Sequence, residues 1–536
     1  MLRFILLFVL ISPLFVNAQV TTRYNIIQRP TETAATIAWR TVNPEIGTIM
    51  YGDDPFSLIN VASNPTATTK HFFDLSGLTS NSKYFYQTST DAGFLSAIDS
   101  FYTAKPDSLT DITFLHYGDC GYNNTIQNDI AALMLAENAD FGVVAGDIDQ
   151  GVGDDYENVF FGVYKDILKQ SCHYTCIGNH DIIADNGDTY LDAFYLPTNN
   201  PTSTEEYYSF TWGNSKFVCL NSNADYSVGS DQYEWMLDEF KCNDRQWLYV
   251  FFHHPPWTNA WDALYYIPFQ PYYLYEGNVD MRTDLVPAFE SYGVDFVLNG
   301  HSHCYQRGEY NGVHYIISGG AGATTLDFNT NSNAPNIQNE LYINQYVKFN
   351  IKGDTCYYVC KDENGVLVDS VGVIKPFVPI RPELSFDGTT LTSTAADSYE
   401  WYLDGVQIIG ATSQTIVPTQ SGVYQVITTN QYGCQFESDA LTINVSGLAD
   451  LSFDNLSVYP NPFTNQITIA GSLGIELNAD IEISVYNTLG QEVANEVVST
   501  NGSVYTTIDL ANTRTGIYIV ELVSNGVRNV YRISKH

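Results

Sequence analysis

Ile112-Thr-Phe-Leu-His-Tyr-Gly-Asp-Cys-Gly121 and Phe141-Gly-Val-Val-Ala-Gly-Asp-Ile-Asp149 are two apolar runs, each closed by Gly-Asp. Between them Ile126, Ile130, Leu133, Met134 and Glu137 fall at helical spacing. Strand, helix and strand with short links predict a βαβ unit, and with it an α/β domain. Outward from this unit, the pattern predicts strands at Cys172–Ile177, Trp247–Phe252, Val294–Leu298 and Val313–Ile317. It also predicts helices near Asp231–Phe240 and Thr283–Tyr292. The α/β domain therefore runs from about Asp111 to about Lys375.

Five of these strands end in polar clusters: Gly118-Asp-Cys-Gly121, Gly146-Asp-Ile-Asp-Gln150, Gly178-Asn-His-Asp181, His253-His-Pro-Pro-Trp257 and Gly300-His-Ser-His303. Function in α/β sheets gathers at strand carboxyl ends. Four clusters open with glycine, which lets the chain turn sharply. His301 and His303 leave a strand two residues apart, so both can face one locus. Imidazole nitrogens suit zinc, iron and similar metals. A carboxylate that bridges two metals holds them close enough to act on one phosphate, and Asp147 is the best bridge. Asp119 and His303 then serve one metal; Asn179, His253 and His301 serve the other. Two divalent ions outweigh two aspartates, leaving positive charge for a hydroxide and a phosphate. His180, not needed as a ligand, is free to act as a general acid. His254 is the alternative to His253. His116, His173 and His314 read as structural, and Arg307 as half of an ion pair. Trp257, Trp261, Tyr265, Tyr266, Phe269, Tyr272 and Tyr273 form an aromatic-rich segment, either a substrate lip or ordinary loop packing.

The chain has 536 residues, enough for three or four domains. Its 60 acidic and 23 basic side chains give a formal charge of −37. That charge argues against nucleic acid and anionic membranes as partners. Met1-Leu-Arg3, the apolar run Phe4–Phe15 and Val16-Asn-Ala18 read as a cleaved signal peptide over 1–18. No later stretch looks transmembrane. Export permits disulfides among the nine cysteines. Cys120 and Cys304 each adjoin a ligand cluster, which suggests a bridge between them.

The five clusters, in this order and spacing, resemble the calcineurin-like metallophosphoesterases. A β-sandwich in front, the run Gly300-His-Ser-His-Cys-Tyr-Gln-Arg307 and Gly319-Gly-Ala-Gly322 resemble the purple acid phosphatase branch. The resemblance implies a double-sheet α/β sandwich with a dimetal site of iron, zinc or manganese. It also implies phosphomonoester hydrolysis by hydroxide attack. It assigns Asp119, Asp147, Asn179, His253, His301 and His303 as ligands and His180 to the outer catalytic position. Two positions depart from it. The branch's tyrosine ligand, three residues after the bridging aspartate, is here Gln150. A histidine common two residues after the first aspartate is here Gly121. Gln150, Asp149 or water then fills the first metal site, and no tyrosinate-to-iron colour is expected. The branch also places histidines near Asp262 and Ala263. The rival readings are a phosphodiesterase on the same site and a surface-binding protein with a degenerate metal site.

The flanks read as β-modules. Residues 19–106 alternate in short strands; Leu75-Ser-Gly-Leu78 with Tyr84 and Tyr86 resembles a fibronectin type III domain. The metallophosphoesterase domain spans 107–376, and a proline-rich linker follows it. Residues 380–446, with Trp401, Gly422-Val-Tyr424 and Cys434, resemble an immunoglobulin-like module. Residues 455–536, beginning Leu456-Ser-Val-Tyr-Pro-Asn-Pro462, resemble the C-terminal sorting domain of type IX secretion. That resemblance implies a secreted or outer-surface protein and the type IX machinery as a partner.

Overall fold

Two β-sheets lie face to face and direct their strand ends toward one locus. The computed structural model describes residues 21–150, 155–261, 277–329, 334, 337–376, 381–444, 456–472, 479–500, 503–524 and 527–536. The leader over 1–18, Asp262, Ala263, Tyr265, Tyr266, Phe269, Tyr272, Tyr273 and residues 377–380 of the linker lie outside the described residues. The chain divides into two compact units, Met1–Pro382 with Thr429–Phe436, and Glu383–Thr428 with Glu437–His536.

In the first unit, β1 (Asp111–Tyr117), α1 (Thr125–Ala136), β2 (Phe141–Val144) and β3 (Cys172–Thr175) open the α/β domain. β4 (Tyr208–Trp212), β5 (Ser215–Cys219), α2 (Asp231–Lys241), β6 (Trp247–Phe251) and β7 (Phe296–Asn299) follow. β8 (Tyr305–Tyr310), β9 (Val313–Ser318), β10 (Ile337–Leu341), β11 (Gln345–Lys352), β12 (Thr355–Asp362) and β13 (Leu367–Ile374) complete it. One sheet has the order β3-β2-β1-β11-β12-β13, the other β4-β5-β6-β7-β9-β8-β10. The strands carrying the clusters pair in parallel: β1 with β2, β2 with β3, β6 with β7. Every residue of β2, β3, β6 and β7 is buried. Strands covered on both faces need continuous apolar sequence, which is why these runs do not alternate.

Register explains how the sheets meet. Phe114 pairs with Phe141 on one side and Phe349 on the other. Their rings stack with centroids 5.3 and 4.4 Å apart. In the second sheet Phe210, Phe217, Tyr249 and Phe296 form a matching row, stacked at 4.8, 4.7 and 5.0 Å. Phe114 meets Phe217 and Tyr249 edge-on, at 85° to each. Each such pair contributes about 0.5–1.5 kcal/mol beyond area burial.

The helix expected over Thr283–Tyr292 is instead two short helices, Val279–Asp284 and Val286–Ser291. Pro287 has no N–H to donate to the preceding turn, so the first helix cannot run through it. The bridge expected between Cys120 and Cys304 is not formed. Both are buried free thiols. The disulfide that does form joins Cys242, just after α2, to Cys434. Arg307 pairs with Asp369 at 2.5 Å. His314 stacks on Phe296 at 5.1 Å, while His116 and His173 are buried and burial holds their pKa values near 4 and 3.

The N-terminal region of this unit is a sandwich of a three-stranded sheet (Thr21–Gln28, Ala34–Glu45, Thr68–Ser76) and a four-stranded one (Asn60–Ser63, Gly47–Gly52, Lys83–Thr90, Asp99–Tyr102). Buried Trp39 stacks on His71 and Phe73. The second unit holds two more β-layered regions. One is cored by Leu391, Trp401, Tyr424 and Val426, the other by Ile467, Ile469, Ile481, Ile483 and Val520. Among the described residues no helix is long and apolar enough to cross a membrane.

Candidate metal centre

Five loops converge where the strands of both sheets end. Asp119 leaves β1, Asp147 leaves β2, Asn179 and His180 follow β3, His253 follows β6, and His301 and His303 follow β7. Carboxylate or imidazole atoms of Asp119, Asp147 and His253 lie within 4.8 Å of one another, as do ring nitrogens of His253, His254 and His301.

The contacts fall into two half-sites. In one, His303 Nε2 lies 3.5 Å from Asp119 Oδ1. In the other, Asn179 Oδ1 is 2.9 Å from both His253 Nε2 and His301 Nδ1, which are 3.2 Å apart. Asp147 lies between them, its Oδ2 3.3 Å from His253 Nε2 and 3.9 Å from His180 Nε2.

Backbone carbonyls fix the rings. His253 Nδ1–H donates to Ala145 O and His303 Nδ1–H to Thr325 O, each at 2.7 Å. A proton held on Nδ1 leaves the Nε2 lone pair as the ligating atom. Both Nε2 atoms face carboxylates. His180 Nδ1 is 3.2 Å from Gln150 O, which leaves its Nε2 toward the partly exposed rim. Gln150 donates its amide to Asp147 O at 3.2 Å, so its side chain braces its own loop.

Gly146 has the left-handed backbone of the sharp turn expected of it (φ 81°), while Gly178 and Gly300 serve another purpose. A Cβ on Gly178 would sit 2.1 Å from Asp147 Oδ1, and one on Gly300 would sit 2.6 Å from Asp119 Oδ2. They are bare so that the carboxylates can approach the backbone. The left-handed conformation falls largely on the residues that follow: Asp119 (φ 55°), Asp147 (φ 51°) and His301 (φ 68°). Such backbone costs of order 1–3 kcal/mol per residue and survives only where surroundings enforce it. Here His301 N–H donates to Asp119 Oδ2 and His180 N–H to Asp147 Oδ1, each at 2.9 Å.

Electrostatics test whether cations fit. Burial alone would lower the His253 pKa, but Asp147 outweighs it and lifts the ring to about 9. Burial likewise opposes His303, and Asp119 lifts it to about 10. Burial raises the Asp119 carboxyl, whereas His253 and His180 hold Asp147 well below the ordinary range. Burial, with His254 and His253, holds His301 well below the usual imidazole value. Asp119 Oδ1 is buried with no hydrogen-bond partner among the described residues. The centre thus demands positive charge between its carboxylates and imidazoles, and its N/O donor set suits zinc, iron or manganese. The residues fit a metal pair.

Three supports carried little sequence signal. Asp181 accepts N–H donors from Ile148 (3.1 Å), Asp149 (3.0 Å) and Gly178 (2.8 Å), and the Tyr156 hydroxyl (3.0 Å). It fastens the Asp147 loop to the Asn179 loop, and only its place beside His180 hinted at this. Asp327 accepts His303 N–H at 2.8 Å and has no motif around it. Ser222, beyond β5, lies 2.9 Å from His254 Nδ1.

Residues 112–305 match the family model for calcineurin-like phosphoesterases. This stretch is a calcineurin-like phosphoesterase domain. Residues 457–535 match the secretion system C-terminal sorting domain, the type IX address, so the chain is secreted or held at the cell surface. Purple acid phosphatase 15 of Arabidopsis thaliana is 33% identical over 161 residues, 27% of this chain and 28% of that protein. A purple acid phosphatase of Glycine max is 25% identical over 327 residues, 55% of this chain and 67% of that one. The chain thus spans under a third of the length of the first curated relatives it matches. The structure of purple acid phosphatase PPD1 from yellow lupin (Lupinus luteus) seeds superposes with a TM-score of 0.57 at 17% identity, covering 67% of this chain and 76% of that one. The phosphoesterase domain therefore shares the purple acid phosphatase-like fold.

Proposed function

We propose that the phosphoesterase domain hydrolyses phosphomonoesters outside the cell, with two metal ions held by Asp119, Asp147, Asn179, His253, His301 and His303. The observation that carries this reading is the meeting of six side chains from five strand ends around buried, undercompensated carboxylates. Bound there, the metals supply an activated water and positive charge for phosphoryl oxygens. Asp147 spans the two half-sites and fixes their separation. The carbonyl-anchored rings of His253 and His303 keep Nδ1–H and would hold metal through Nε2; because Asp147 and Asp119 lift these rings to about 9 and 10, metal binding at neutral pH displaces their Nε2 protons. His180, on the rim with Nδ1–H turned to the Gln150 carbonyl, acts in its imidazolium form and gives the Nε2 proton to the leaving oxygen. Iron, zinc and manganese all suit the donor set, and Gln150 leaves the first metal without the tyrosine of the purple enzymes.

The same reading makes the N-terminal sandwich a fibronectin III-like module and 380–446 an immunoglobulin-like spacer, both outside the chemistry. The test is release of phosphate from monoester and diester chromogenic substrates by the metal-reconstituted protein. Monoester turnover lost in Asp147→Asn, with the fold retained, supports the proposal. Diester preference would move the chain to the phosphodiesterases. Absence of any turnover with metal bound would leave the binding-module reading.

A further inference from the structure

His254 belongs to neither half-site, yet its ring centroid is 4.6 Å from that of His301 and 5.0 Å from that of His253. One of its ring nitrogens lies within 4.8 Å of nitrogens on both. What distinguishes His254 is the group that anchors it. His253 and His303 donate Nδ1–H to carbonyl oxygens, which can only accept. His254 Nδ1 is anchored instead on the Ser222 hydroxyl at 2.9 Å. That hydroxyl oxygen already accepts the His254 backbone N–H at 3.3 Å, so its own proton is free to go to Nδ1. A ring whose Nδ1 accepts must carry its proton on Nε2. With the Ser222 proton on this bond, His254 presents an Nε2–H where the two anchored rings would present lone pairs to a metal.

Ser222 is held for this task. It lies on the loop beyond β5, a sixth strand end at the locus. Its neighbour Asn221 donates N–H to Gln232 Oε1 at 2.7 Å, and Gln232 Nε2 returns to Asn221 O at 3.2 Å. Asn223 Nδ2 donates to Ile177 O at 3.0 Å, tying the loop to the segment that leads into Asn179.

We propose that His254 is a substrate-contacting residue that donates Nε2–H to a non-bridging oxygen of the bound phosphate, and that Ser222 positions it by fixing its tautomer. This rests on the phosphoesterase reading above. An N–H beside a metal pair repels a cation and attracts an anionic oxygen, so His254 adds phosphate affinity and no metal site. A hydrogen bond to a charged oxygen is worth roughly tenfold to a hundredfold in affinity.

The test uses the full chain reconstituted with metal. Inorganic phosphate binding is measured by calorimetry, metal content by elemental analysis, and kcat and KM on a chromogenic monoester. His254→Ala and His254→Phe should keep both metals and weaken phosphate binding about tenfold to a hundredfold, with KM rising. Ser222→Ala should weaken phosphate binding severalfold, and Ser222→Thr, which keeps the hydroxyl, should restore it. A metal equivalent lost in both His254 variants would make His254 a ligand and overturn the proposal. Unchanged phosphate affinity in both would also overturn it, as would a Ser222→Ala protein identical to wild type. A wild-type protein that binds two metals yet neither binds phosphate nor hydrolyses the ester overturns the functional reading and this inference together.

Discussion

Replacing Asp181 by asparagine removes one oxygen from the clamp behind the metal centre while touching no proposed ligand. In the native loop Oδ1 takes N–H groups from Ile148 and Asp149 and the Tyr156 hydroxyl, and Oδ2 takes Gly178 N–H. An asparagine oxygen can serve one of these sets. If it keeps the first, its NH2 faces Gly178 N–H and a buried donor is stranded. That loss costs about 1–3 kcal/mol, and weaker bonds to a neutral acceptor add to it. One effect runs the other way. Burial and then the Asp147 charge raise the Asp181 carboxyl to about 6, so above that pH the neutral amide relieves repulsion. We expect a net local destabilisation of about 1–3 kcal/mol at pH 7.5, since four lost or weakened bonds outnumber one relieved repulsion. At about 1.4 kcal/mol per decade, amides of Ile148, Asp149 and Gly178 should exchange roughly 5- to 150-fold faster in the metal-free protein. Metal affinity should fall about 10–100-fold, the usual effect of losing an outer support. Hydrogen-exchange mass spectrometry and metal titration read both. Unchanged exchange at these three amides together with unchanged metal affinity would refute the clamp.

Other expectations follow from single residues. Burial raises the Glu205 carboxyl from 4.5 to about 7, so its charge costs stability that grows as pH rises through this window. Glu205→Gln should therefore be more stable than wild type at pH 8 by about 1–3 kcal/mol and indistinguishable at pH 4; equal unfolding midpoints at both pH values would contradict this. Iron-loaded wild type should lack a tyrosinate charge-transfer band, and Gln150→Tyr should create one. A visible band in the wild type would overturn the assignment of Gln150 to that position. Non-reducing peptide mapping should find Cys242 linked to Cys434 and free thiols at Cys120 and Cys304. A Cys120–Cys304 peptide would contradict the free thiols at these positions.

The α/β core was legible because parallel strands buried on both faces leave continuous apolar runs, as in Phe141–Val144 and Trp247–Phe251. The polar clusters that follow them stood out against those runs. The remainder depended on tertiary geometry. No local pattern announces that Asp119, Asp147 and His301 adopt left-handed backbone, because the strain is enforced by contacts from other loops. Gly178 and Gly300 look like turn residues, yet they answer to carboxylates elsewhere in the chain. Asp181 follows His180 with no local sign of its role, since its four donors come from three segments. Ser222 sits in an ordinary Asn-Ser-Asn loop and gains meaning only from the ring beside it. Pro287 divides the stretch expected as one helix because it has no N–H for the preceding turn.

The most direct test is the metal stoichiometry of the intact chain after reconstitution, measured by elemental analysis beside Asp147→Asn. Two equivalents in the wild type, falling to one or fewer in the variant while circular dichroism stays the same, is the expected outcome. Two equivalents retained without the Asp147 carboxylate, or none bound by the wild type, would contradict a metal pair organised around that residue.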